Sequence, residues 1–291
     1  MSKESDLCGL LKYSHGMNLG DTMQSLAAKK FLTPHLYFDR DHPSHTKIPI
    51  NKKIKMMMNA YWAGWDGHQS TWKEEFPPSS SIDPLWTSCH FDGGCSFDSY
   101  IIDYFKSHEP IGCRDEWTLN KLSSHGVKAY FSNCLTITLE NIFCTRNEKI
   151  YIVDVPESIY STFPSEILNR AEFLTHASCW EGPKGDCFLY KFDEAQVLLH
   201  KYMRASLVIT SRLHCATPCL GIGTPVVFIG EEKHSYRTNC LEEYIPLYSE
   251  NNFSTINWNL EDIKNKTNVR RIDKRKEEFC QRINSFLYPR V

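Results

Sequence analysis

No stretch of this chain approaches the roughly 20 consecutive apolar residues that a bilayer-spanning helix requires. An integral membrane segment is therefore not expected. A charge excess is missing too: 33 Lys and Arg stand against 35 Asp and Glu, a formal net charge of -2. That excludes non-specific nucleic-acid or polybasic membrane binding, while still allowing one local cationic pocket. The opening MSKESDLCGLLKYSHGMNLGD lacks the layout of a secretory leader, because its apolar part is too short. The expected location is cytoplasmic and reducing. Cys-x-x-Cys pairs are absent, and the nearest cluster, Cys89, His90 and Cys95, has no second ligand pair at usable spacing. No metal is expected. The twelve cysteines are scattered, and Cys113, Cys134, Cys215 and Cys219 lie within apolar runs, where a reduced thiol behaves as a small hydrophobe. There is no internal repeat and no long low-complexity segment.

What is present is an alternation of apolar runs with amphipathic ones. KIKMMMNAYW (53–62) and PLWTSCHF read as buried strands, followed by PIGC, a helical RDEWTLNKLSSHG, VKAYF and CLTITL. A polar break, ENIFCTRNEK (140–149), interrupts the pattern before it restarts. IYIVDV reads as a strand, PESIYSTFPSEILNRA as a helix broken by Pro164, and EFLTHA as a strand. KFDEAQVLLHKYMRA is helical; SLVIT and PVVFIG are strands; the charged LEDIKNKTNVRRIDKRKEEFCQRINSFLY is a long helical pattern with one solvated face. Strands alternating with helices imply parallel βαβ units covered on both faces. The expected fold class is α/β, with two Rossmann-like domains facing a cleft. The first covers residues 1–145 and the second 146–291, the last helix being able to cross back.

Three strand ends carry unexpected polar chemistry. In an open parallel sheet ligands bind beyond the carboxyl ends of the strands, where helix N-termini offer unpaired N–H groups to anions. Arg212 and His214 fall at such a point, after SLVITS and before CATPCLGIG. A guanidinium, an imidazole and a helix N-terminus aimed at one spot make a phosphate or carboxylate site. Read in isolation, however, Arg212 bridging an acid and His214 satisfied in the core explain the triplet better. In PIGCRDEWT, Asp115 reads as a helix N-cap and Glu116 suits the first turn. Arg114 is a cation near a helix N-terminus, unfavourable unless an anion compensates it. In HGMNLGDTMQSLAAKKF, Gly20 and Asp21 precede a helix, as a capped turn or as a small-residue loop beside a substrate.

These stretches resemble the polysaccharide pyruvyl transferase family. The resemblance rests on NLGD (18–21), NAYWAGW (59–65), PPSSSIDPLWTSCHF (77–91), IGCRDEWTLNKLSSHGVKAYFSNCLTITL (111–139) and ASLVITSRLHCATPCLGIGTPVVFIG (205–230). It implies a glycosyltransferase-B-like pair of domains that moves the enolpyruvyl part of phosphoenolpyruvate onto a glycan or lipid-linked saccharide. The product is a cyclic ketal, and phosphate is released. No cofactor is required beyond the donor substrate. The family's Arg-Leu-His falls on Arg212, Leu213 and His214 and its Gly-x-Arg-Asp arginine on Arg114, with Arg237 a third candidate cation. His214 is then the proton-exchanging residue, Asp21 a second base or hydroxyl-positioning group, and Asn18, Gly20 and Trp62 the acceptor side. The chain is short for the family.

Two other readings compete. A nucleotide-sugar glycosyltransferase would use the Asp39–Asp41 pair in DRD, or the acids Glu242 and Glu250, though Pro246 stands between the latter. A non-catalytic glycan- or anion-binding protein would keep Trp62, Trp65, Trp72 and Trp86 for sugar stacking.

Overall fold

A computed structural model describes residues 7–14, 16–42, 46–47, 52–62, 76–183, 187–232 and 235–289. In chain order the strands are β1 (Leu7–Lys12), β2 (Leu36–Asp39), β3 (Ile54–Met57), β4 (Tyr61–Trp62), β5 (Ile82–Leu85), β6 (His90–Phe91), β7 (Ile111–Cys113), β8 (Ala129–Phe131), β9 (Ile150–Val153), β10 (Ala171–Leu174), β11 (Leu207–Thr210), β12 (Val226–Gly230) and β13 (Leu247–Ser249). The helices are α1 (Leu19–Lys29), α2 (Ser99–Ser107), α3 (Glu116–Ser124), α4 (Ser165–Leu168), α5 (Phe188–Arg204), α6 (Leu213–Gly221), α7 (Ser235–Thr238), α8 (Leu260–Asn265) and α9 (Val269–Leu287).

Two parallel sheets organise the chain, so the α/β class holds. One has the order β2-β1-β3-β5 and the other β10-β9-β11-β12-β13, and every pairing within them is parallel. Strands covered on both faces need continuous apolar runs rather than alternation. All four residues of β9 and of β11 are accordingly buried. Two short parallel pairs, β4-β6 and β7-β8, extend the first half.

Three stretches depart from their simplest reading. KIKMMMNAYW forms two strands, because Asn59 leaves the strand to donate to the Gln24 carbonyl of α1 at 2.9 Å. CLTITL holds a 3₁₀ turn, Leu135–Thr138. Asn133 enters it at φ 68°, and the Thr138 hydroxyl bonds back to the Leu135 carbonyl at 2.8 Å, a local alternative to a sheet ladder. The charged tail divides into α8 and α9, with Asn268 capping α9 through the Arg271 amide.

The largest apolar cluster does not stop at the polar break. It joins Leu10, Leu19 and Met23 with Ile137, Val153, Leu199, Val208, Leu220, Phe279 and Ile283. Helix α1 is buried along most of its length, and it packs on α5, on α6 and on the 3₁₀ turn. Gly221 sits against that turn so closely that a Cβ would lie 2.3 Å from the Ile137 carbonyl oxygen. Helix α9 is tied to both parts of the chain. Its Lys276 donates to the Gly221 carbonyl and its Arg275 to that of Phe131, while Lys55 of β3 donates to the Leu287 carbonyl at 3.1 Å. A cation at a helix C-terminus satisfies carbonyls that have no intrahelical partner. Among the described residues, no helix is long and apolar enough to cross a membrane.

Candidate active site

The carboxyl end of β11 meets the start of α6 and the start of α1. Thr210 closes the strand, its hydroxyl accepting from the Arg212 amide at 3.0 Å. Helix α6 then begins, with His214 in its first turn. Asn18 caps α1 through the Gly20 amide. A Cβ on Gly20 would lie 3.1 Å from the His214 Cβ and 3.2 Å from Nδ1. A side chain there would have to push the imidazole back, so Gly20 lets two helix N-termini sit beside one imidazole.

Arg114 comes from the other direction, directly after β7. It is almost fully buried, and its Nη1 lies 3.2 Å from His214 Nε2, a contact across 100 residues of sequence. A guanidinium can only donate, so Nε2 accepts there and carries no proton. His214 is held well below the ordinary imidazole value: burial comes first, followed by the positive charge of Arg114, with His176, Arg237 and His90 adding to it. The imidazole is a neutral base.

Behind Arg114 stands Asp115. Its carboxylate caps α3 through the Thr118 amide at 2.9 Å, accepts from His90 Nδ1 at 2.5 Å, and lies 3.7 Å from Arg114 Nε. Burial opposes its charge, but the His90 bond and the Arg114 charge outweigh that and keep its pKa below the ordinary value. His90 is itself lowered, first by burial and then by Arg114, against the opposing bond to Asp115. Two buried atoms here have no hydrogen-bond partner among the described residues: His90 Nε2 and Arg114 Nε. Such atoms are costly unless a ligand or water completes them.

Asp21 is buried in the first turn of α1, where Gln24 donates to it at 3.2 Å and Arg40 lies 3.9 Å away. Burial raises its carboxyl, with the Arg40 charge opposing. Arg212 is placed differently from Arg114. About half of its side chain is exposed, and its Nε donates to Asp154 at 2.8 Å. It thus bridges an acid, as the isolated triplet suggested. Leu213 packs on the main core from the first position of α6. Arg237 of α7 places its guanidinium 4.9 Å from the Tyr61 ring, and its charge reaches both His214 and His90. Trp62 lies apart, 4 % exposed and packed against Phe76 and Trp86 in an aromatic core. Trp65 and Trp72 lie outside the described residues.

The structure thus brings Asn18, Gly20, Arg114 and His214 into one place, with Asp21 and Arg237 in electrostatic reach. It also adds residues that the sequence reading passed over. Asp154 follows β9 at φ 51° and receives the His176 amide at 3.0 Å as well as Arg212. His176 follows β10 and is tied to the Tyr202 hydroxyl at 2.9 Å. In the sequence His90 reads only as a zinc-ligand candidate, and Asp115 only as a cap. The rule that singled out Arg212, polar residues just past the carboxyl end of a buried strand, would have found Asp154 and His176. Asp39 and Asp41 are engaged locally: Asp39 Oδ1 accepts from the Asp41 and His42 amides, and Asp41 accepts from Arg40. Among the described residues, no group of three His, Cys, Asp or Glu side chains could hold a metal ion.

Comparison with known proteins finds one family model that matches part of the chain. Residues 94–233 match the model of the polysaccharide pyruvyl transferases. This stretch, just under half of the chain, is similar to that family. It contains Arg114, Arg212, Leu213 and His214, while Asn18, Gly20, Asp21 and Trp62 precede it and Arg237 follows it. A functionally uncharacterised protein from Klebsiella pneumoniae subsp. pneumoniae NTUH-K2044, known from its crystal structure, is 12% identical. It superposes with a TM-score of 0.50 over 82% of this chain and 88% of that one. At that identity the likeness concerns the fold alone. No curated protein matches the chain.

The two buried imidazoles predict how stability follows pH. Both have folded values below the ordinary 6.5. On acidification the unfolded chain therefore takes up protons that the folded chain refuses. Stability should be full above about pH 7 and fall as pH drops below 6.5, by up to about 1.4 kcal/mol per pH unit for each group. Asp21, raised by burial, works in the opposite sense, in a window that opens above the ordinary carboxyl value of 3.8. Melting temperatures between pH 7.5 and 5.5 check this, and His214→Asn should flatten the slope. An equal slope in that variant would contradict it.

Proposed function

We propose that the protein transfers a pyruvyl group from phosphoenolpyruvate to hydroxyls of a glycan or lipid-linked saccharide, forming a ketal and releasing phosphate. The observation that carries this reading is the Arg114–His214 contact, which joins two family-matched segments beside two helix N-termini. Phosphoenolpyruvate is small and carries about three negative charges, so it calls for converging cations and helix dipoles rather than a long nucleotide groove. The two sheets would act as a glycosyltransferase-B-like pair, divided near residue 145, each presenting strand ends to the donor.

In this scheme Arg114 binds the donor's carboxylate or phosphate and completes its orphaned Nε. Arg212, anchored by Asp154, adds the edge of its guanidinium from the exposed side. One proton reaches the methylene carbon and makes it a methyl group. Positive charge then develops on the neighbouring carbon, balanced by the donor's own carboxylate. A sugar hydroxyl adds there and yields its proton to His214 Nε2, which Arg114 would free as its guanidinium turns to the donor. Phosphate leaves with a proton as the second hydroxyl closes the ring. Two hydroxyl protons are lost, one to carbon and one to phosphate, so the exchange balances. Asp21, buried in the first turn of α1, would position the sugar hydroxyls.

The test is phosphate release from phosphoenolpyruvate with a panel of glycans. Release that requires both substrates supports the reading. A melting shift with nucleotide sugars and none with phosphoenolpyruvate would replace it.

A further inference from the structure

With Trp62 buried in the core, the described part of the proposed site has one other aromatic group at its outer side. Trp117 is the second residue of α3, three positions after Arg114, and is 43 % exposed. Tyr236 of α7, next to Arg237, is 40 % exposed. Their ring centroids are 5.5 Å apart. Tyr236 also lies 6.4 Å from the ring of His90, and His90 in turn stacks on Tyr61 at 5.0 Å. An unbroken row of rings therefore runs from the surface to the buried Asp115–His90–Arg114 group. Isolated exposed aromatics are ordinary on a protein surface, but two in mutual contact above a buried charged group are not.

We propose that Trp117 and Tyr236 form the platform on which a pyranose ring of the acceptor stacks. This rests on the reading of the site as a pyruvyl transferase centre and assigns the acceptor's place in it. The occupant follows from the gradient of chemistry along the row. The inner end holds the Arg114 guanidinium, which suits the anionic donor; the outer pair of rings is apolar in body and polar at its tips. A neutral sugar ring has the same division, with C–H groups on its face and hydroxyls at its edge. Trp and Tyr bind such a surface at a wet boundary without losing their own hydrogen bonds. Trp117 and Tyr236 come from segments more than one hundred residues apart, so the platform exists only when α3 and α7 are docked together. Acceptor binding would thereby stabilise the same docking that presents Arg237 to the donor pocket.

Saturation-transfer NMR on the full chain tests this with methyl glucopyranoside, methyl galactopyranoside, methyl mannopyranoside and uridine diphosphate. The ring C–H protons of at least one glycoside should be saturated by the wild-type protein. Affinity should fall roughly tenfold in Trp117→Ala and in Tyr236→Ala and be retained in Trp117→Phe. The melting shift with phosphoenolpyruvate, recorded on each variant, shows that it is folded and should be unchanged. The platform is overturned if no glycoside is saturated, if both alanine variants bind as the wild type does, or if only uridine diphosphate responds. Sugar binding without any shift from phosphoenolpyruvate would instead overturn the donor assignment and leave the platform standing.

Discussion

Replacing His214 with alanine is expected to lower turnover roughly 10²–10⁴-fold while leaving the donor's KM within a few-fold of wild type. The magnitude is that of losing a positioned base. The direction follows from the geometry. His214 Nε2 accepts from Arg114, burial and the neighbouring cations keep the ring neutral, and Gly20 holds the ring edge against the start of α1. A neutral base ready to take a hydroxyl proton acts in the chemical step rather than in ground-state binding. Bound donor, being anionic, would raise the imidazole's affinity for that proton as the reaction proceeds. Steady-state phosphate release over a range of donor concentrations separates the two parameters. An unchanged kcat removes His214 from the chemistry.

Arg114→Ala should act on the other parameter, raising the donor's KM by roughly 30- to 3,000-fold, the cost of truncating one member of a buried hydrogen-bonded charge pair. Nearly the whole side chain is buried between Asp115 and His214, so no solvent replaces it and the donor loses a desolvated cation. The variant also leaves Asp115 with one positive neighbour fewer. The cap to Thr118 and the His90 bond remain, however, so the fold is expected to persist with a lowered melting temperature. Arg114→Lys keeps the charge but not the forked geometry and should recover only part of the affinity. Arg212→Ala gives the contrast. That side chain is about half exposed and pinned by Asp154, so its loss should be milder, on the order of tenfold. If Arg212→Ala proved the more damaging of the two, the donor would sit on the exposed side of α6 rather than between α6 and α3.

How far the site could be read in the chain differs from one residue to the next. Arg114 stands out because a cation at a helix start is a local misfit, and that misfit is visible within four residues. Arg212 and His214 stood out because polar groups abruptly end a buried strand. Their fates then diverged: Arg212 turned to Asp154, whereas His214 met Arg114. Nothing within the triplet distinguishes these outcomes, since Asp154 lies 58 positions from Arg212 and Arg114 lies 100 from His214. Trp62 shows the same limit. A tryptophan beside a matched motif can stack on a sugar or fill a core, and only the packing of Phe76 and Trp86 around it decides. CLTITL has the composition of a strand, yet it turns as a 3₁₀ helix packed on α6 and α1.

The chain alone determined the α/β class, the strands β9, β10, β11 and β12 with the polar groups that end them, and the parallel pairing of its sheets, because propensity and periodicity act over a few residues. Only the tertiary structure decided which of those groups face one another. A contact such as Arg114 with His214 costs the closure of a long loop, and it forms where the packing of α1, α5 and α6 into one apolar core has already met that cost.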